Sequence, residues 1–191
     1  MLGAMPTAQA AAALGESGPA EISQLQVERT ADGVFLSATV RFDLPSAVED
    51  ALLRGVALFF VAEVDVFRDR WYWSDKKLLS VERHMRLAYQ PLTRRWRLNI
   101  ASGTITASSL GLALNQGFET LGEALAAMRR VSRWKIAEAS DIDTDPKNNV
   151  EFRFRLDVTQ LPRPFQIGAL GQADWDISAT TIQRLAPPSA K

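Results

Sequence analysis

The sequence predicts a β-rich α+β domain built from antiparallel sheets, in its simplest form a two-layer β-sandwich with two short helices at about residues 46–54 and 120–132. Three observations carry this. Apolar and polar residues alternate at period two over long runs, from Val34 to Leu44, from Leu79 to Tyr89 and from Val150 to Val158. Helical spacing is confined to two short segments. The order of elements is strands, helix, strands, helix, strands, without the βαβ alternation of a parallel sheet.

In chain order, Ile22, Leu25 and Val27 are the apolar members of a first strand over Glu21–Arg29. Asp32-Gly33 signals a tight turn, so this strand and Val34–Leu44 form a hairpin. Ser46 and Glu49 have capping-box spacing at the start of a helix whose apolar stripe is Val48, Leu52 and Leu53; Gly55 supplies a left-handed stop. Val56–Val61 is apolar on both faces, as a central strand is, and Glu63 and Asp65 then take the face opposite Ala62, Val64 and Val66. Ser74 to Lys77 reads as the turn into a long strand with Leu79, Val81, Met85, Leu87 and Tyr89 on one side. Arg83 falls on that apolar side, which requires either a bulge or a buried charge. Trp96, Leu98 and Ile100 complete a three-stranded meander.

Residues 101–117 are rich in Ser, Thr and Gly and read as a loop with a minor strand near Thr104–Ala107. Thr120 and Glu123 repeat the capping-box spacing, and Leu121, Ala124, Leu125, Met128 and Val131 recur at helical intervals. Asp141 to Asn149 is a polar turn before the Val150–Val158 strand. Leu161-Pro162-Arg163-Pro164 cannot sit in a central strand, because each proline removes a ladder donor. Trp175–Leu185 reads as a last strand, and residues 186–191 as a tail.

The 191 residues are 47% hydrophobic, enough for a single core without disulfide or metal staples. The organisation expected is a leader over residues 1–20, one domain over 21–185 and the tail. With no cysteine, thiolate chemistry is excluded; one histidine and no cysteine argue against a zinc site, and no cofactor is expected. Net charge is zero but segregated: residues 1–67 hold three arginines against nine carboxylates, and residues 68–97 hold nine lysines and arginines against three. The simple expectation is that the two blocks pair across adjacent strands. Zero net charge argues against a general nucleic-acid or anionic-membrane binder. Ala8-Gln9-Ala10 has the small-x-small form of a signal-peptidase site, without the basic and long apolar regions of a full signal peptide; the first 18 residues are therefore either a signal-peptide remnant or an unstructured leader. No run approaches the ~18–20 apolar residues of a membrane span.

Several motifs together resemble the family of proteobacterial proteins that share the domain of unknown function DUF4390. They are LPSAVEDALLRGV from Leu44 to Val56, RWYW from Arg70 to Trp73, RLAY from Arg86 to Tyr89 with Leu92-Thr93-Arg94, FETLGEAL from Phe118 to Leu125, RLDVTQLPRP from Arg155 to Pro164, and DWDI from Asp174 to Ile177. Specific as a set and weak singly, they cover roughly residues 21–185. The resemblance implies export or membrane tethering through an N-terminal segment, hence a periplasmic or periplasm-facing location. It also implies a genetic association with nitrogen-regulation-type sensor kinases. No catalytic residues come with it.

Candidate chemistry is sparse. His84 lacks a G-x-S-x-G elbow and reads as a surface residue of an alternating strand. Asp141, Asp143 and Asp145 copy half a calcium loop, but Pro146 replaces the glycine and Phe152 the bidentate glutamate. Glu63 and Asp65 share a strand face; a carboxylate pair can run glycoside hydrolysis, and an exposed face paired with basic neighbours is the simpler account. The binding candidate is Arg68, Arg70, Trp71, Tyr72, Trp73, Lys76 and Lys77, where aromatics meet positive charge. The competing account packs Trp71 and Trp73 into the core. The expected function is a non-enzymatic envelope domain that binds a protein partner, with a carrier of lipid or another apolar ligand as the alternative and a carboxylate hydrolase third.

Overall fold

The computed structural model describes residues 20–68, 76–102, 113–142 and 147–185. Strands β1 (Ala20–Thr30) and β2 (Gly33–Phe42) form the expected hairpin, and β7 (Arg130–Ala137) pairs with β2 to complete a three-stranded antiparallel sheet. The second sheet has six strands in the order β6-β5-β4-β3-β8-β9: β6 (Leu114–Phe118), β5 (Arg95–Ser102), β4 (Lys76–Gln90), β3 (Leu58–Arg68), β8 (Asn148–Leu156) and β9 (Ser178–Arg184), all antiparallel. Three short helices accompany them, α1 (Ser46–Leu53), α2 (Leu121–Arg129) and α3 (Arg163–Ala169), where two were expected. Among the described residues no helix is long and apolar enough to cross a membrane.

Alternation decides which side chains enter the core. On β3, Leu58, Phe60, Ala62, Val64 and Val66 are all closed to solvent, and their register partners Met85 and Leu87 on β4 and Phe152 and Phe154 on β8 face the same way. From the other sheet, Phe42 meets them: its ring centroid lies 5.5 Å from Phe60 and 5.2 Å from Phe154, and those two rings are 5.5 Å apart. These three rings join the two sheets into one core, within the separation at which aromatic pairs attract beyond their buried area.

The structure resolves or corrects several expectations. The irregular spacing Ile22, Leu25, Val27 is absorbed by a register shift between Ile22 and Gln24, which puts all three opposite core positions of β2. Gly33 takes a left-handed φ of 138°, and a Cβ there would lie 2.6 Å from the Ala137 carbonyl oxygen, so the hairpin turn closes directly onto the end of β7. The Ser46 capping box does not form: Pro45 is the N-cap residue of α1, without a side-chain cap bond. Its buried stripe is Val48, Ala51 and Leu52, and Leu53 is 47% exposed. Gly55 is the left-handed stop expected. The Thr120–Glu123 box does form, with both reciprocal bonds present. That helix ends at Arg129 rather than near 132, and Val131, Trp134 and Ile136 belong to β7. Lys76 and Lys77 already pair within β4 instead of forming a turn. Residues 114–118 are a strand rather than loop, and the Thr104–Ala107 strand falls outside the described residues. The Pro162–Pro164 stretch opens α3, with Pro164 in its first turn, where a missing amide costs nothing.

Arg83 answers the alternative posed by its position. The β3–β4 register runs unbroken past it, so no bulge removes it from the core side. Its guanidinium instead stacks 4.5 Å from the ring centroid of Trp134 on β7, across the two sheets. Burial holds its pKa below the usual arginine range.

Phe154→Ala should lower unfolding stability by about 3–5 kcal/mol in urea denaturation, since it opens a cavity at the sheet junction. Leu53→Ala should stay within about 0.5 kcal/mol.

Candidate functional site

Of the residues singled out for chemistry, Glu63, Asp65 and His84 share the outer face of the six-stranded sheet. Period two sends Phe59, Val61, Glu63, Asp65 and Phe67 of β3 away from the core, with Ser80, Glu82, His84 and Arg86 of β4 and Glu151, Arg153 and Arg155 of β8 beside them. Arg153 is the centre of this face. Its Nη2 donates to Glu63 Oε1 at 2.8 Å and to Asp65 Oδ2, and its Nη1 lies 3.4 Å from Glu151. Lys77 reaches Asp65 at 2.9 Å from the other flank.

Asp65 is 4% exposed. Burial pushes its carboxyl up, but hydrogen bonds from Ser80 and Lys77 and the charges of Lys77 and Arg153 outweigh it and hold the carboxyl below the ordinary range. Arg153 shows the reciprocal effect: burial lowers its pKa, and Glu151, Glu63 and Asp65 raise it further. A carboxylate bridged to arginine and held ionised has no proton to give at neutral pH, which is what glycoside hydrolysis asks of one of its pair. Glu63 and Asp65 are not the exposed surface pair that the simpler account supposed, yet their basic partners are the ones it called for.

His84 is 6% exposed rather than a surface residue. Its Nε2 meets Glu82 Oε2 at 3.0 Å, and its Nδ1 is buried without a partner among the described residues. No serine hydroxyl bonds it among the described residues. Of the acidic turn, Asp141 accepts from the Glu138 amide at 2.9 Å, while Asp143 and Asp145 lie outside the described residues. The described residues contain no group of carboxylates and histidine able to hold a metal. Asp157, which sequence reading missed, ends β8 by accepting from Thr159 and Gln160; burial raises its pKa, and those bonds with Arg155 bring it below the ordinary range. Its bonds cap the short helical turn that follows the strand.

Of the sequence-predicted binding patch, Arg70, Trp71, Tyr72 and Trp73 fall outside the described residues. Arg68 donates to Asn148 Oδ1 at 3.2 Å, Lys77 is turned onto Asp65, and Lys76 is exposed. The expected pairing of the acidic and basic blocks is realised by Lys77 with Asp65. It does not extend along β4 and β5: Arg83, Arg86, Arg94, Arg95 and Arg97 have no carboxylate partner among the described residues. The acidic groups of β3 are instead neutralised from β8, whose Arg153 is distant in sequence and adjacent only through sheet topology.

Arg153→Met should cost about 2 kcal/mol at neutral pH, less than a fully buried pair because its side chain is 34% exposed. The folded Asp65 value lies below the unfolded one, so its contribution is complete above the unfolded carboxylate range and lost as pH falls through the folded value. Denaturant titrations of wild type and Arg153→Met should therefore differ more at neutral pH than in acid, and Asp65→Asn in the variant should recover part of the loss.

Comparison with curated proteins and with solved structures finds no match to the chain. The model of the family described as "Domain of unknown function (DUF4390)" matches residues 17–184, a span that takes in every strand and helix described above. The chain belongs to the DUF4390 family.

Proposed function

We propose that this chain is a non-enzymatic domain of the cell envelope that binds a protein partner through its outer surface, with a membrane sensor kinase as the candidate partner. The observation that carries the reading is the closure of the space between the sheets. Phe42, Phe60, Phe152, Phe154, Leu87 and Leu98 from both inner faces are at most 4% exposed, so binding is assigned to the outside of the sandwich. Engagement of both Glu63 and Asp65 by Arg153, with Asp65 held ionised, supports a structural role for those carboxylates over a hydrolytic one. The contact surface in this reading is the β3–β4 connection, where Trp71, Tyr72 and Trp73 stand between Arg68 and Lys76 in the sequence; aromatic and arginine side chains dominate the energetics of protein interfaces.

A photo-crosslinking amino acid placed at Trp71 or Trp73 in cells should give one discrete protein adduct, and the same group at Arg184 should not. Lack of any adduct at the aromatic positions, or equal adducts at all positions, contradicts the reading.

The alternative, a binder of an apolar small ligand, draws support from one groove. It has a volume of about 480 Å³ and lies between the end of β8 and α3, lined by Leu156, Val158, Ala169, Leu170 and Trp175. Leu170 and Ile167 on α3 are 72% and 76% exposed. If the groove is used, Leu170→Glu should abolish fluorescence enhancement of an apolar dye while leaving crosslinking at Trp71 intact.

A further inference from the structure

Four of the arginines without a carboxylate partner among the described residues, Arg86, Arg94, Arg95 and Arg97, gather around the β4–β5 turn. Arg95 and Arg97 share the outer face of β5, and Arg86 lies diagonally across on β4, opposite Asn99. The guanidinium of Arg86 is half-buried, 6.0 Å from the Phe59 ring, and its pKa is lowered first by burial and then by the charge of Arg97. The β4–β5 turn adds Arg94, held at φ 50°, and Leu92, which is fully exposed. Two neighbouring carboxylates temper this charge without forming an ion pair with it among the described residues: Glu119, which follows Phe118 of β6 beside Arg95, and Glu123. Glu123 is engaged by the Glu119 and Thr120 amides at the start of α2. α1, which packs against β4, brings Glu49 and Asp50 but also the exposed Leu53 and Arg54.

An apolar side chain at the tip of a turn, with guanidinium groups set behind it, matches a lipid interface: the leucine enters the acyl boundary and the cations remain at phosphate depth. Single-stranded nucleic acid would call for exposed aromatic platforms, but Tyr89 and Trp96 at this end pack against each other as a tilted pair with ring centroids 4.7 Å apart, and Trp96 is 7% exposed on the core side. The chain path agrees. Ala20 pairs with Phe42, whose ring meets Phe60; Phe60 pairs with Met85, close to the end of β4 that leads into the Leu92 turn. Ala20 therefore lies at the same end of the strands as the Leu92 turn.

We infer that the Leu92 turn, with Arg86, Arg94, Arg95 and Arg97, is a docking edge for an anionic phospholipid surface. The inference goes beyond the partner-binding reading and rests on it only for the envelope location. The 15-residue β4 spans about 50 Å, so Lys76 at its start stands far from the Leu92 turn at its end.

The test is co-sedimentation of the full chain with vesicles of phosphatidylcholine alone and vesicles enriched in phosphatidylglycerol. Binding should require the anionic lipid and weaken with salt. Each arginine removed should weaken it about fivefold, so Arg95→Gln with Arg97→Gln gives roughly 25-fold. Leu92→Ser should weaken binding without changing its salt dependence, and Arg184→Gln on β9 should bind as wild type. Absence of vesicle binding, equal binding to neutral vesicles, or unchanged binding by the double arginine variant overturns the inference. Retention of an oligonucleotide or an acidic polypeptide in place of vesicles overturns it too, and reassigns the arginines to that partner. Crosslinking at Trp71 is read in the segment that precedes β4, so either result can fail alone.

Discussion

The contact of Phe42 with Phe60 and Phe154 is where the three-stranded sheet meets the six-stranded sheet, with ring centroids 5.2–5.5 Å apart inside one shared core. The contact also fixes the outside. Strand side chains alternate, so placing Phe60, Ala62 and Val64 inward obliges Glu63 and Asp65 to point outward, where β8 presents Arg153. A slip of one residue would bury both carboxylates between the sheets and expose the aromatic row, which is why the register is so strongly determined. The charged cluster is thus a consequence of core packing before it is anything else.

The same constraint explains what the sequence revealed. Where one face is apolar and the other polar, as in β2, β4 and β8, alternation located the strands. Glu63 and Asp65 could be placed on a common face from spacing alone. Their partner could not, because Arg153 reaches them through a strand pairing that joins distant segments. β7 was hidden for a different reason: Val131 continues the helical spacing of Leu121, Leu125 and Met128, and only the pairing of Arg130 with Thr39 turns the chain into a strand. α3 was missed because two prolines were read as a break rather than as the start of a helix. Ser46 and Thr120 carry the same capping spacing, yet only Thr120 occupies an N-cap position; Ser46 lies already inside the helix, after Pro45. The burial of His84 was equally invisible, since a lone polar residue on an outer face reads as exposed.

The structure separates two sets of charge that look alike in the sequence. Lys77 and Arg153 are bound to carboxylates and stabilise the sheet. The arginines at the far end of β4 and along β5 have no such partner among the described residues, and with Leu92 they form the surface most in need of an explanation outside the fold.

The central claim is that this domain acts through its outer surface and carries nothing inside. Native mass spectrometry of the protein purified under mild conditions from envelope fractions tests this most directly. The account predicts the mass of the bare polypeptide, with any lipid lost in step with removal of the Leu92 turn's arginines. A stoichiometric apolar molecule that survives those substitutions would mean that the interior or the α3 groove is the working site, and would contradict it.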